Sequence, residues 1–271
     1  MPELPEVEIV VRNLSEMIGP KALVQDWIFY RADLRMVLPK TKLNKLIGQR
    51  ILKIRRRAKF ILFQFSDHVV VSHLGMTGAW REEKAGWKKQ KHDHVVLVIG
   101  QNRFFVYSDP RRFGFIEVWP TEKLNERFSS YGVEPLEPMT DFELLTRQFK
   151  TLQAPIKTAL MNQKMVVGIG NIYASEILFA AGVSPLKKCS KVNNEKYKMI
   201  WEKSKKILSR AIQKGGSTIE NYRNTKGEEG SYQNEFSVYG REKQECLICH
   251  TPIKQKVMAG RSTFWCPKCQ R

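Results

Sequence analysis

ECLICHTPIKQKVMAGRSTFWCPKCQR, residues 245–271, carries four of the chain's five cysteines as two Cys-x-x-Cys pairs. Cys246 pairs with Cys249, Cys266 pairs with Cys269, and sixteen residues separate the pairs. Each pair places two thiolates on one tetrahedral ion, and a four-thiolate set closes the coordination sphere, leaving no position for substrate or water. The spacing predicts a four-cysteine zinc ribbon over 242–271, with one structural Zn2+ and no catalytic metal or organic cofactor. Zinc binding to such a module contributes on the order of 10 kcal/mol to folding. Between the pairs, Ala259-Gly260-Arg261-Ser262-Thr263 reads as the turn of a β-hairpin. Arg261 at its tip has two readings: a solvated surface cation, which the residue alone favours, or a group that enters a groove or holds a phosphate.

The rest of the chain puts that ribbon in a basic, globular context. Among 271 residues, 46 Lys and Arg stand against 27 Asp and Glu, for a formal charge of +19, with 42% apolar residues. The apolar content suffices for real cores, and the charge attracts polyanions, with nucleic acid foremost. No basic amphipathic helix with a bulky apolar face stands out, which argues against a membrane surface. The longest apolar stretch, Val166 to Val183, is broken by Asn171, Ser175 and Glu176 and makes a poor membrane span. The N-terminus, MPELPEVE, is acidic where a secretory signal is basic, and no apolar core follows it. A cytoplasmic protein is expected, and nothing in the sequence demands more than a monomer. Cysteines gathered at one end also differ from a secreted disulfide framework. Cys189, beside Lys187 and Lys188, reads as an ordinary free thiol.

Hydrophobic periodicity divides the chain. Val7, Val10, Val11, Leu14, Met17 and Ile18 fall at helical spacing, with Pro5 in the first turn, and predict an amphipathic helix ending near Gly19. Short β-rich runs follow at 24–30, 51–55, 60–65, 69–73, 94–99, 104–107 and 115–119, a pattern of sandwich or barrel. Pro135 and Pro138 mark a linker, after which the pattern is helical from Asp141 to about Lys214, punctuated by Gly168-Ile169-Gly170-Asn171. The expected architecture is α+β in two domains. A first domain spans 1–133 and a helical one 134–241, the latter ending in a polar loop over 218–233 and continued by the zinc module at 242–271.

The N-terminus carries a second constellation. Removal of Met1 would leave Pro2 with a free secondary amine, and an α-amino group titrates near pH 8, so it can attack an electrophilic carbon. Glu3, next to it, is placed to transfer a proton. The plainer reading is that Glu3 and Glu6 complement a helix dipole.

The whole string PELPEVE, however, resembles the N-terminus of the formamidopyrimidine-DNA glycosylases, bacterial base-excision repair enzymes. The resemblance continues in order through Arg57-Ala58-Lys59, Ser72–Met76, Lys91–His94, Asp109–Gly114, Gly168–Tyr173, Glu235–Gly240 and the cysteine pairs. It implies an N-terminal β-sandwich with flanking helices, then a helical domain with a helix-two-turns-helix element and a zinc hairpin. It implies a bifunctional glycosylase and abasic-site lyase, associated with the nucleoid and acting on double-stranded DNA with damaged bases. Pro2 would attack C1′ and form a Schiff base, and Glu3 would protonate the sugar ring oxygen. Lys59 would move protons in elimination and contact phosphate, and Arg261 would grip the phosphates around the lesion.

The same resemblance makes Met76, Arg111 and Phe113 a void-filling wedge, with Arg111 on the orphaned base. Asn171, at a helix start preceded by glycines, suits a phosphate by its backbone N–H groups. His73, His92, Gln153, Lys157 and Tyr239 coincide with DNA-contacting positions, although Gln153 stands where a basic residue is expected. The 218–233 loop lies where relatives cap the everted nucleotide.

Two other readings compete. A non-catalytic zinc-ribbon DNA-binding factor would share the charge and the cysteines but leave Pro2, Glu3 and the wedge without purpose. An endonuclease VIII-like enzyme for oxidised pyrimidines would share the architecture, but Leu4 in PELPE and the RRFG segment at 111–114 favour the purine branch.

Overall fold

Helix α1 (Leu4–Ile18) forms where the apolar spacing predicts it, and Val7, Val10, Val11, Leu14 and Ile18 are all buried. Pro5 sits in the first turn, and the Glu3 backbone N–H donates to the Glu6 carboxylate at 2.9 Å, closing the start of the helix. Gly19, at φ +76°, ends it in a backbone conformation that favours glycine. The computed structural model describes the chain except residues 101–102, 219–224 and 226. Two compact units emerge, Met1–Ser129 with Gly215–Ser231, and Ser130–Lys214 with Tyr232–Arg271.

The first unit continues through β1 (Ala22–Phe29), α2 (Lys40–Asn44), β2 (Arg50–Ile51), β3 (Lys53–Arg57), β4 (Phe60–Gln64) and β5 (His68–His73). Then come β6 (Ala79–Lys84), β7 (Asp93–Ile99), β8 (Arg103–Ser108), β9 (Phe115–Pro120) and α3 (Leu124–Phe128). The strands form two antiparallel sheets, β2-β1-β7-β8-β6 and β3-β4-β5-β9, so the architecture is a sandwich rather than a barrel. Trp27, Val95, Leu97, Phe105 and Tyr107 of one sheet share a core with Ile54, Ile61, Phe63 and Val70 of the other, and α1 contributes its apolar face to it. Across the layers the rings of Phe63 and Trp80 meet at 5.6 Å, and Trp80 Nε1 donates to Ser72 Oγ at 3.0 Å. Strand β4 is buried on both faces, because Phe60 turns outward onto Phe128 of α3 at 5.5 Å.

Strand β6 is absent from the sequence expectation, since Arg81-Glu82-Glu83-Lys84 lacks the apolar residues that mark the other runs. Trp80 anchors it inward, while Arg81 makes a two-pronged pair with Asp93 at 2.7 and 2.8 Å and Glu82 pairs with Arg103. It is an edge strand, where such charges hinder pairing with another chain.

In the second unit, α4 (Phe142–Lys150), α5 (Ile156–Leu160), α6 (Asn171–Ala180) and α7 (Asn194–Gln213) occupy the stretch predicted helical. Asp141 and Asn193 cap α4 and α7 by accepting backbone N–H groups of Leu144 and Lys196, each at 2.8 Å. Every residue of α6 from Ile172 to Phe179 is buried, which explains a run too apolar for a surface helix. The hairpin β10 (Lys254–Met258) and β11 (Arg261–Trp265) closes the unit. Its connection is the two residues Ala259 and Gly260, both at positive φ as a tight primed turn requires, so Arg261 is the first residue of β11. Among the described residues no helix is long and apolar enough to cross a membrane.

Candidate active site and nucleic-acid interface

At the N-terminus, Pro2 and Glu3 are buried and Met1 is exposed. Glu6, also buried, holds this end of the chain in two directions. One of its oxygens takes the Glu3 N–H, and the other accepts from Ser217 N at 2.8 Å and Ser217 Oγ at 3.0 Å. One carboxylate thus joins the residues beside Pro2 to the root of the 218–233 loop, of which 219–224 and 226 lie outside the described residues. Lys59 is buried in the turn between β3 and β4, after Ala58 at φ +53°. Arg56 braces that turn to α1: its Nε bonds Glu8 at 3.0 Å, and its Nη1 donates to Ala58 O at 3.0 Å.

The three wedge candidates stand on two loops, between β5 and β6 and between β8 and β9. Met76 is 37% exposed and Phe113 45% exposed, as expected of side chains that act outside the core. The Arg111 guanidinium lies 4.8 Å from the centre of the Phe113 ring. His73, at the end of β5, stacks on Phe115 at 5.3 Å, and its Nδ1 accepts the Gly75 N–H at 3.0 Å. Burial, with Lys59 and Arg35 nearby, lowers its pKa to about 4. His73 is therefore a neutral acceptor that shapes the Met76 loop. His92 is half-buried in the turn before β7, and its carbonyl accepts the Asp109 N–H at 3.1 Å.

In the second unit, Asn171 is the first residue of α6, and Gly170 precedes it in extended conformation. Lys157 is 2% exposed and does not lie on the surface. Its ammonium donates to Asn171 Oδ1 at 2.6 Å, to Thr263 Oγ1 at 2.8 Å and to Ser262 O at 3.0 Å, bracing α5 and α6 against the hairpin that presents Arg261. Arg261 itself is exposed, and so is Gln153. Tyr239 packs edge-on against Phe264 at 5.2 Å. Its backbone N–H, with those of Ser237 and Val238, donates to the buried Glu176 carboxylate at 2.8 to 3.0 Å. Burial pushes that carboxyl above the usual range while the three N–H groups pull it down.

The sulfur atoms of Cys246, Cys249, Cys266 and Cys269 all lie within 4.8 Å of one another, with Cys246–Cys269 at 3.9 Å and Cys249–Cys266 at 3.5 Å. A tetrahedral zinc with Zn–S of about 2.3 Å needs sulfur separations of about 3.8 Å, so the donor set fits the ion. Cys189 is buried elsewhere, and burial raises its thiol to about 11, the condition of an inert cysteine.

The sequence reading missed Glu6, Ser217, Glu176, Thr77 and Asp109 as supports of these groups. The acids Glu6, Glu176 and Asp109 in so basic a chain were the available signal, whereas Ser217 and Thr77 carried none, since their partners Glu6 and Asp109 lie 211 and 32 residues away.

A β-sandwich unit with a helix-capping N-terminus, a helical unit and a four-thiolate hairpin define a zinc-finger protein equipped to engage nucleic acid. The chain matches three family descriptions in order: formamidopyrimidine-DNA glycosylase N-terminal domain over residues 1–116, formamidopyrimidine-DNA glycosylase H2TH domain over 131–223, and the zinc finger found in FPG and IleRS over 243–271. It is 41% identical to the formamidopyrimidine-DNA glycosylase of Bdellovibrio bacteriovorus and 39% identical to that of Stenotrophomonas maltophilia, in each case over 100% of both chains. Among solved structures it resembles MutM in complex with carbocyclic 8-oxo-G containing DNA, at TM-score 0.91 and 33% identity over 100% of both chains. It also resembles the Lactococcus lactis Fpg complex with abasic-site DNA, at TM-score 0.92 and 33% identity over 99% of both chains. The chain belongs to the formamidopyrimidine-DNA glycosylase family, and it is an enzyme of that class.

Proposed function

We propose that this protein removes oxidised purines from double-stranded DNA, 8-oxoguanine opposite cytosine and formamidopyrimidines, and then cleaves the strand at the resulting abasic site. The observation that carries this reading is the pairing of Pro2 with a buried carboxyl group, Glu3, behind an exposed Met1. Once Met1 is removed, the Pro2 nitrogen attacks C1′, and the bond to the base breaks with its electron pair leaving on the base. Glu3 protonates the ring oxygen as the C1′–O bond opens, which leaves an iminium, the Schiff base. Loss of a C2′ proton expels the 3′ phosphate and a second elimination expels the 5′ phosphate, with Lys59 and Arg261 as proton carriers and phosphate contacts.

The nucleotide must leave the helix first, at a cost of a few kcal/mol. Met76 and Phe113 fill the gap while Arg111 bonds the unpaired base. His92, Asn171, Lys157, Tyr239 and Gln153 border the DNA backbone, Lys157 through the hairpin that it supports. Cys246, Cys249, Cys266 and Cys269 would hold one zinc ion, which supplies folding energy to that hairpin and takes no part in the reaction. The protein works as a monomer in the bacterial cytoplasm, on the nucleoid.

The similar structures solved in complex with carbocyclic 8-oxo-G containing DNA and with abasic-site DNA support this reading. Excision from duplexes carrying 8-oxoguanine opposite cytosine or thymine glycol, at equal enzyme, tests it. Faster release of 8-oxoguanine is expected. Preference for thymine glycol would assign the protein to oxidised pyrimidines instead.

A further inference from the structure

Met76 and the pair Arg111 and Phe113 belong to separate loops, so their joint insertion into a base stack requires the two loops to keep one register. Asp109, 0% exposed, sits where the loops meet. Its Oδ1 accepts the Thr77 hydroxyl at 2.5 Å, and its Oδ2 accepts the Gly114 N–H at 2.8 Å. Thr77 Oγ1 in turn accepts the Arg111 N–H at 3.1 Å. The residue after Met76 is therefore tied to both ends of the Arg111–Gly114 segment, to Arg111 directly and to Gly114 through the buried Asp109 carboxylate. The Asp109 main chain is fixed as well: its carbonyl lies 2.9 Å from His94 Nε2 and accepts the Arg112 N–H at 3.2 Å.

The backbones of the two loops are in direct contact. A Cβ on Gly75 would lie 2.4 Å from Gly114 N, and one on Gly114 would lie 1.8 Å from the Tyr107 hydroxyl. That hydroxyl, from the buried centre of β8, donates to His73 O at 3.1 Å. Side chains at these positions would force the loops apart.

We propose that Asp109 and Thr77 are positioning residues that latch the Met76 loop to the Arg111–Phe113 loop and make the wedge a single rigid body. This rests on the void-filling reading above. The Asp109 side chain is enclosed by the protein. Opening a duplex opposes stacking and pairing, and a preorganised wedge loses less conformational entropy on entering the stack than two independent loops. The latch acts on duplex opening and leaves the Pro2 chemistry unchanged.

The test compares two substrates of the zinc-loaded protein. One is a duplex with 8-oxoguanine opposite cytosine and 2-aminopurine beside the lesion, whose fluorescence reports opening. The other is a single-stranded oligonucleotide with a preformed abasic site, which needs no opening. Thr77→Val removes only the hydroxyl's bonds, Thr77→Ala does so without added bulk near the glycines, and Thr77→Ser restores them. Loss of one hydrogen bond to a carboxylate slows opening and duplex excision on the order of tenfold. Thr77→Val and Thr77→Ala should both show this while cutting the single strand at the wild-type rate, and Thr77→Ser should open the duplex like wild type. Unchanged opening in both variants, or equal losses on the two substrates, would overturn the latch. A wild-type protein that opens and excises no 8-oxoguanine duplex would instead remove the functional reading on which the latch depends.

Discussion

His73 allows a quantitative check of how the wedge loop is held. Its pKa falls from the ordinary 6.5 to about 4, first because the ring is buried and then because Lys59 and Arg35 lie nearby. Between those values the unfolded chain binds a proton at this position and the folded protein does not, so stability rises with pH across the window and is lost as pH falls from 6.5 towards 4. A difference of about 2.5 units at 1.36 kcal/mol each makes the loss about 3 kcal/mol. Protonation would also remove the lone pair with which Nδ1 accepts the Gly75 N–H. Replacing His73 by Gln keeps an acceptor and removes the titration. Urea unfolding of both proteins at pH 7, 5.5 and 4 should show the wild type losing about 3 kcal/mol more than His73→Gln over that range. Protonation of the zinc thiolates affects both proteins alike and cancels in the comparison. Parallel pH profiles would refute the argument that a buried, neutral His73 shapes the loop.

Three further outcomes follow from the second unit and the charge. Lys157→Met leaves three acceptors, the buried Thr263 hydroxyl among them, without this donor and should destabilise the protein by about 3 kcal/mol in urea unfolding, with weakened DNA affinity; a change under about 1 kcal/mol would contradict its bracing role. Chelating zinc should unfold the hairpin that presents Arg261 and abolish binding to lesion duplex, measured by fluorescence anisotropy; normal binding and cutting by zinc-free protein would contradict the division of labour. With a charge of +19, binding should weaken linearly in a plot of log affinity against log salt, by about 0.9 per phosphate neutralised, and a flat response would contradict it.

What could be read from the sequence was local. The zinc pairs, α1 with its Gly19 stop and most strands announce themselves through spacings of a few residues, and the exposed loop positions of Met76 and Phe113 follow from their glycine neighbours. Strand β6 was hidden because four of its six side chains, Arg81 to Lys84, are charged, and Arg81 and Glu82 find their partners in Asp93 and Arg103 on neighbouring strands. Glu6 looked like a helix-dipole acid, yet two of its bonds reach Ser217, 211 residues away. Lys157 coincides with a DNA-contacting position that the sequence leaves open between surface and core, and its burial rests on partners 14 to 106 residues along the chain. Such contacts depend on tertiary packing, which no local pattern encodes.

The central claim is that the reacting atom is the Pro2 nitrogen. Protein with Met1 verifiably removed and zinc bound is incubated with 8-oxoguanine duplex in the presence of borohydride, and the adduct is located by peptide mass spectrometry. A covalent protein–DNA species attached through Pro2 is the expected result. No adduct, or an adduct carried by Lys59 with Pro2 unmodified, would contradict the account.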